Sequence, residues 1–362
     1  MSDNEKRVSL FISGDAVIHE SVYLDALQEN NQYDFDRQFH FIREMISGYD
    51  LKYYNQETIL GGKELGLSGY PTFNSPIEFG EYMTDIGFNL ISTATNHCLD
   101  MGMKGVQNSS AFLRSKSGVL TDGTAASWEE KNTIASMEVN GINVAFLSWC
   151  GYLNHYIPET PFEVNYFYGH EEEMLACIRR AKENSDVVIL ALHWGEEYTQ
   201  TPEPWQRSLA EQCIQAGADV IIGNHVHVIQ PFEMIHGAPV FYAMGNLISS
   251  QLNPENLISM VAGMDLVLKE ENGIKQICIQ NLCCDFLYTS MQGTYPALRT
   301  NIEVLPFSKL NDSILPGYRK IQDKLAAHVQ SMNSPIIIGG VGLPHRNSTV
   351  PGTFTHSDKT NR

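Results

Sequence analysis

Three things are scarce in this sequence, and each scarcity removes a class of function. Basic residues are few: 24 lysines and arginines stand against 42 aspartates and glutamates, a formal net charge of −18. A surface of that sign repels phosphate backbones and anionic headgroups, which excludes a general nucleic-acid or acidic-membrane binder. Long apolar runs are missing too. The apolar stretch near the N-terminus, VSLFIS at 8–13, is too short for a signal h-region or a membrane span. No other stretch reaches the roughly 18 uninterrupted apolar residues that a span requires. Cysteine is the third: the seven are scattered, only Cys283 and Cys284 are adjacent, and there is no CxxC pair. An odd count without framework spacing predicts reduced, mostly buried thiols and, with no leader, a cytoplasmic protein.

What the chain does have is alternation. It is 362 residues long, 43% hydrophobic and 18% charged, a composition that supports a large core. VSLFIS, LKYYNQE (51–57), NLISTAT (89–95), DVVILALHW (186–194) and ADVIIGN (218–224) read as strands. Helical periodicity with start and stop signals runs over 34–48, 76–87, 104–118, 171–186 and 202–217. Asn140-Gly141, His236-Gly237 and Asn272-Gly273 mark hairpins. Crossovers combined with hairpins predict a layered α/β fold with mixed sheets. One domain is expected over 1–330, with small inserted loops at 60–75 and 150–168. Residues 331–362 are expected to form a loosely packed or disordered tail, with His345 and His356 in solvent.

Metal-binding residue types follow each of those strands. Asp15 follows the first, Asn55-Gln56-Glu57 closes the second, and Asn96-His97 follows the third. His193-Trp194 and Asn224-His225-Val226-His227 close the last two. One aspartate after a strand is ordinary turn chemistry. Five such endings in one chain argue for a metal site, because sites in α/β folds assemble where the carboxyl ends of strands meet. The donors Asp15, Glu57, Asn96, His193, His225 and His227 offer oxygen and nitrogen without thiolate, and are too many for one tetrahedral zinc. That set suits divalent manganese, iron or zinc, and a shared carboxylate suits a pair of ions. His19 is read as a metal or substrate contact, and His97 as the group that protonates a leaving atom. Asn55, Trp194, Glu197 and Asn246 are expected to line a substrate pocket, although Trp194 reads equally well as core. The loop 61–76, with Tyr70 and Phe73, is a candidate lid. Asp100 reads as a loop or cap residue; His40, His155, His170 and His236 read as structural or solvated.

The segments GDAVIHE, NQETIL, STATNHCLDMGMKGV, LHWGEEY, AGADVIIGNHVHVIQPFE and FYAMGNLISSQ together resemble the CapA family, named for poly-γ-glutamate capsule biosynthesis. The resemblance runs in order from about residue 8 to 251. It implies the calcineurin-like metallophosphatase superfamily: an αββα sandwich of two mixed sheets flanked by helices, with a two-metal site at the strand ends. By that resemblance Asp15 and His227 hold a first metal, while Asn96, His193 and His225 hold a second. Glu57 stands where the superfamily has a bridging aspartate, and His97 matches its catalytic histidine. His19 departs from the pattern, because Ala16 and Val17 intervene where the superfamily's histidine lies two residues after the aspartate.

Three functions compete. One is a metal-dependent hydrolase of a phosphoester or related bond. Another is a role in poly-γ-glutamate or capsule biosynthesis, including non-hydrolytic binding of a polyglutamate or peptide chain. An acidic protein is an awkward partner for a polyanion unless the metal pocket offsets its charge. The third is a peptide epimerase, in which a metal polarises a carbonyl while a base takes the α-proton. The expected ligand is a small molecule, a peptide or polyglutamate, not nucleic acid.

Overall fold

The computed structural model describes residues 5–154, 158–271, 273–294, 296–332, 334–342 and 354–355. Two sheets organise the chain. The first four strands of the larger one are β1 (Glu5–Ala16), β2 (Leu51–Gln56), β3 (Leu90–Ser92) and β4 (Leu120–Asp122), all parallel. The second sheet is built from β5 (Ala135–Val139), β6 (Ile142–Cys150), β7 (Val187–His193), β8 (Val220–Asn224), β9 (Phe232–Ile235) and β10 (Ala238–Phe241). Its order is β5-β6-β7-β8-β10-β9, parallel in the middle with an antiparallel strand at either edge. The chain then returns to the first sheet with β11 (Asn246–Ile248), β12 (Ile258–Glu271), β13 (Ile274–Gln292) and β14 (Thr300–Pro306). That sheet runs β14-β13-β12-β1-β2-β3-β4, with β11 pairing β1. Both sheets are therefore mixed.

Strand periodicity explains how they stack. On β1, Val8, Leu10 and Ile12 face the second sheet, where they meet Val144, Phe146 and Ile189. Phe11 points the other way, into a layer with Phe39, Ile42 and Phe79. The helices carrying those residues, α2 (Asp36–Ile46) and α3 (Ile77–Asp85), cover the outer face together with α1 (Glu20–Ala26) and α4 (Gly102–Ser115). After the short α5 (Trp128–Asn132), α6 (Glu171–Asn184) and α7 (Pro204–Ala216) cover the second sheet, through Met174, Ile178, Leu209 and Cys213. The result is the αββα sandwich. An uncapped edge of the inter-sheet layer is closed by α8 (Tyr318–Val329), whose Ile321 and Leu325 pack there.

Neither β14 nor α8 stands out in the sequence. Residues 334–342, within the segment expected as a tail, lie against the sheet. There β15 (Ile337–Ile338) pairs β13 in parallel, and Ile336 and Val341 are buried. The short β16 (Phe354–Thr355) pairs β13 antiparallel. Asn272, His155, His345 and His356 lie outside the described residues. The described cysteines are free and, apart from half-buried Cys177, buried. Among the described residues, no helix is long and apolar enough to cross a membrane.

Candidate metal centre

The parallel strands of both sheets deliver their carboxyl ends to one edge of the sandwich. Asp15 is in register with Asn55 and with Asn246, Asn55 with Ser92, and His193 with Asn224. Asn224 ties the sheets together by donating from Nδ2 to the Tyr53 hydroxyl at 2.7 Å. His225 and His227 then leave β8 with φ of +98° and +62°, a left-handed backbone that is strained for residues with a Cβ. That bend turns two alternate side chains of a loop toward a common centre.

Six donors converge in two groups. In one, a ligand atom each from Asp15, Glu57 and His227 lies within 4.8 Å of the others, and all three residues are buried. In the other, His193 Nε2 is 2.9 Å from Asn96 Oδ1 and 3.1 Å from His225 Nδ1. Donors on adjacent vertices around an ion with bonds of about 2.1 Å sit about 3 Å apart, which is the spacing of this second group. Asp15 links the groups, since its Oδ2 accepts the His225 N–H at 3.0 Å.

The surroundings orient these donors. Asn246 Oδ1 accepts from His227 Nδ1 at 2.9 Å, which leaves the Nε2 lone pair aimed at Glu57 Oε1, 3.6 Å away. Asn55 donates to Asp15 Oδ1 at 2.8 Å, and its amide lies 3.3 Å from His193 Nδ1. Tyr152 stacks on His225 at 5.1 Å between ring centroids.

The electrostatics fit a cation. Both carboxylate oxygens of Glu57 are buried without any hydrogen-bond partner. Burial first, then the nearby acids Asp15, Glu197 and Asp100, pushes Glu57 well above the usual carboxylate range. Burial also raises Asp15 to about 7, opposed by its bonds from His225 and Asn55. His193 is held well below its ordinary value and His225 is lowered to about 3, by burial and by the neighbouring imidazoles. Neutral imidazoles around an unpaired buried carboxylate are what a divalent ion requires.

His97 stands at the edge of this cluster. Its Nδ1 donates to Asp100 Oδ2 at 2.7 Å, and Asp100 also accepts the Phe73 N–H at 2.7 Å. The Asn154 amide lies 3.2 Å from His97 Nε2. A cavity of about 160 Å³ is walled by His97, Glu57, His227, Glu197 and His19, with Tyr70 and Phe73 from the candidate lid loop. His19 therefore borders the cavity outside the two donor groups; burial lowers it to about 4, and Ser250 N lies 3.3 Å from its Nδ1.

The pocket residues expected from the sequence separate here. Glu197 lines the cavity. Asn55 and Asn246 are fully buried behind the donors they orient. Trp194 sits in the helix-covered core, where its Nε1 donates to the Tyr242 carbonyl at 2.9 Å. Asp100, read as a loop or cap residue, is the buried partner of His97; the spacing of three residues in NHCLD was the available signal. Nothing in the sequence singled out Asn154 or Tyr152, whose loop reaches the site only through the fold.

A two-sheet αββα sandwich with carboxylate and imidazole donors gathered at the strand ends is the architecture of the metallophosphatase superfamily. The chain belongs to one family within it, the bacterial capsule synthesis protein family PGA_cap, whose model matches residues 9–251. It is 30% identical over 170 residues to the PGA biosynthesis protein CapA of Bacillus subtilis (strain 168), covering 47% of this chain and 44% of that protein. It is 31% identical over 172 residues to the capsule biosynthesis protein CapA of Bacillus anthracis, covering 46% and 41%. The chain thus spans less than half the length of either relative. A crystal structure of a hypothetical protein from Thermus thermophilus aligns with a TM-score of 0.42 at 15% identity, covering 75% of this chain and 97% of that one.

Proposed function

We propose that the protein is a metal-dependent hydrolase of a phosphoester or related bond, working with two divalent ions in a capsule or poly-γ-glutamate pathway. The observation that carries this reading is Glu57: a carboxylate buried without a partner, beside Asp15 and His227. Leaving such a group unpaired is expensive, and a cation is the natural counter-charge. Asp15, Glu57 and His227 would hold one ion; Asn96, His193 and His225 would hold the other. Bound ions supply Lewis acidity and concentrated positive charge at the scissile group.

The remaining work falls to the chain's own residues. Asp100 holds the proton on His97 Nδ1 and thereby fixes the tautomer and ring orientation. With both ring nitrogens protonated and the imidazolium paired to Asp100, His97 would deliver its Nε2 proton to the departing oxygen, a contribution of about 10²–10⁴ in rate. Phe73 and Tyr70 cover the cavity and limit water.

A second reading, peptide epimerisation, is favoured by one observation: His19 and His97 both border the cavity and both pack on Phe73, at 5.2 and 4.7 Å between ring centroids. Two imidazoles on one cavity suit proton removal and return at a carbon.

The test combines metal content with turnover, for wild type and Glu57→Gln. Two metal equivalents in wild type, fewer in the variant, and metal-dependent cleavage of an aryl phosphodiester are expected. Two equivalents without cleavage, together with solvent deuterium entering an α-carbon of a peptide, would favour the epimerase. Wild type that takes up no metal under manganese, iron and zinc loading would sink both.

A further inference from the structure

The inner cavity adjoins a larger one. A groove of about 570 Å³ lies alongside it, and His19, Tyr70, Tyr198 and Gln251 form walls of both. That volume is enough for several residues of a chain molecule, and the shared walls set the two spaces side by side.

Three features of the groove define its ligand. The first is apolar surface. Tyr70, Leu252, Tyr198 and Leu298 are 79%, 63%, 51% and 49% exposed, and all four line the groove. Large apolar side chains left in water at one place mark a contact surface.

The second is Arg299. Its guanidinium is anchored by the Ser250 and Gln251 carbonyls, and no carboxylate among the described residues lies within ion-pair distance of it. Glu20 is the groove's acidic member, so the lining carries about equal charge of each sign in a protein of net charge −18.

The third is Asn256. It is 3% exposed, borders the groove, and its side-chain oxygen is buried without a hydrogen-bond partner. An orphan acceptor of this kind calls for an N–H donor.

We infer that this groove binds an extended amide chain of low charge density, with one carboxylate of that chain received by Arg299 and an amide N–H by Asn256. The planar guanidinium gives that carboxylate two parallel bonds. The aromatic and leucine side chains take the apolar part of the ligand. A polyanion does not fit: one arginine opposite Glu20 cannot neutralise a carboxylate on every residue. The inference rests on the proposed function in one respect, that the reacting bond lies in the inner cavity.

The test reads binding rather than turnover. Fluorescence anisotropy gives Kd for four labelled probes on the full chain: a short leucine–serine peptide with a free C-terminal carboxylate, its C-terminal amide, the amide carrying one glutamate, and a γ-linked glutamate oligomer. The expected result is that one or both single-carboxylate peptides bind about tenfold tighter than the plain amide. Which of the two does so assigns the carboxylate to a chain end or to a side chain.

Arg299→Gln should remove that tenfold advantage, and Arg299→Lys should restore part of it. The lysine variant, with melting curves, controls for loosening of the Ser250–Gln251 backbone. Leu252→Ser should weaken the acid and amide probes alike. Equal Kd for all the peptides, an Arg299→Gln protein that discriminates as wild type does, or tighter binding of the γ-glutamate oligomer overturns the inference. Absence of metal-dependent turnover in wild type would bear on the inner cavity alone, since Kd is measured without it.

Discussion

Asp100 shows how one side chain sets the chemistry of another. Its Oδ2 accepts from His97 Nδ1 and from the Phe73 backbone, so it couples the histidine to the loop that covers the cavity. Asp100→Asn keeps the acceptor for Phe73 but leaves the imidazole tautomer undefined. We expect kcat toward an aryl phosphodiester to fall by about 10–10³-fold with metal content unchanged, by analogy with carboxylates that orient catalytic histidines. Loss of metal from this variant, or turnover equal to wild type, would remove Asp100 from the positioning role. Asn246 holds His227 in the same manner, with a neutral amide where His97 has a carboxylate.

At the scale of elements, the strand ends carry polar groups that a core of this size does not otherwise tolerate. The last residue of β4, Asp122, is buried; its Oδ2 accepts the Ser148 N–H at 2.7 Å and the Asn165 amide at 3.1 Å. Burial raises it to about 6, against the usual carboxylate value near 3.8. The folded state therefore holds an extra proton between those pH values. The stability that this proton brings is full at low pH and is lost as pH rises through about 6, an effect of about 3 kcal/mol. Asp122→Asn keeps an acceptor for Ser148 and removes the ionisation. Denaturant titrations should show the variant more stable than wild type at pH 8 and converging with it near pH 4. Parallel stability curves across that range would contradict the assignment. The loop after β8 is different in kind: its strain at His225 and His227 is local, and the packed sheets on either side over-determine it.

For the whole molecule, the proposed metal centre would make stability depend on metal. An ion that binds only the folded chain at a hundredfold excess over its Kd adds about 2.7 kcal/mol. In a protein of this size that corresponds to a rise in Tm of about 4 °C. Manganese or zinc should raise the melting temperature of wild type by that order, and chelator should reverse it. Glu57→Gln should show little metal response. In chelator at pH 8 the variant should melt above wild type, because Glu57, raised by burial, loses stability as it ionises and glutamine does not. A variant that melts lower than wild type in chelator would mean that Glu57 has a partner in the folded protein. The acidic surface and the nearly balanced outer groove are also properties of the whole: neither is legible in any single segment.

Sequence alone determined many of the elements and which polar residues stand at the strand ends. Apolar runs of strand length, hairpin dipeptides and helix stops placed β2, β7, β8, α6 and α7 within a residue or two, and β1 within three at each end, because period and turn chemistry are local. The convergence of the candidate donors was legible because strand ends of an α/β sheet share one edge, so Asp15, Glu57, Asn96, His193, His225 and His227 could be linked without knowing any distance. What tertiary structure decided is which buried polar residues face a cavity and which stand behind the donors. Asn55, Asn246 and Trp194 resembled Glu197 as residues after a strand; only packing separates a wall from a support. The Tyr152–Asn154 loop and Arg299 in the outer groove lie far apart in the chain, and long-range closure brought them to the site. Periodicity reports one element's faces; it carries no information about what an unrelated element lays against them.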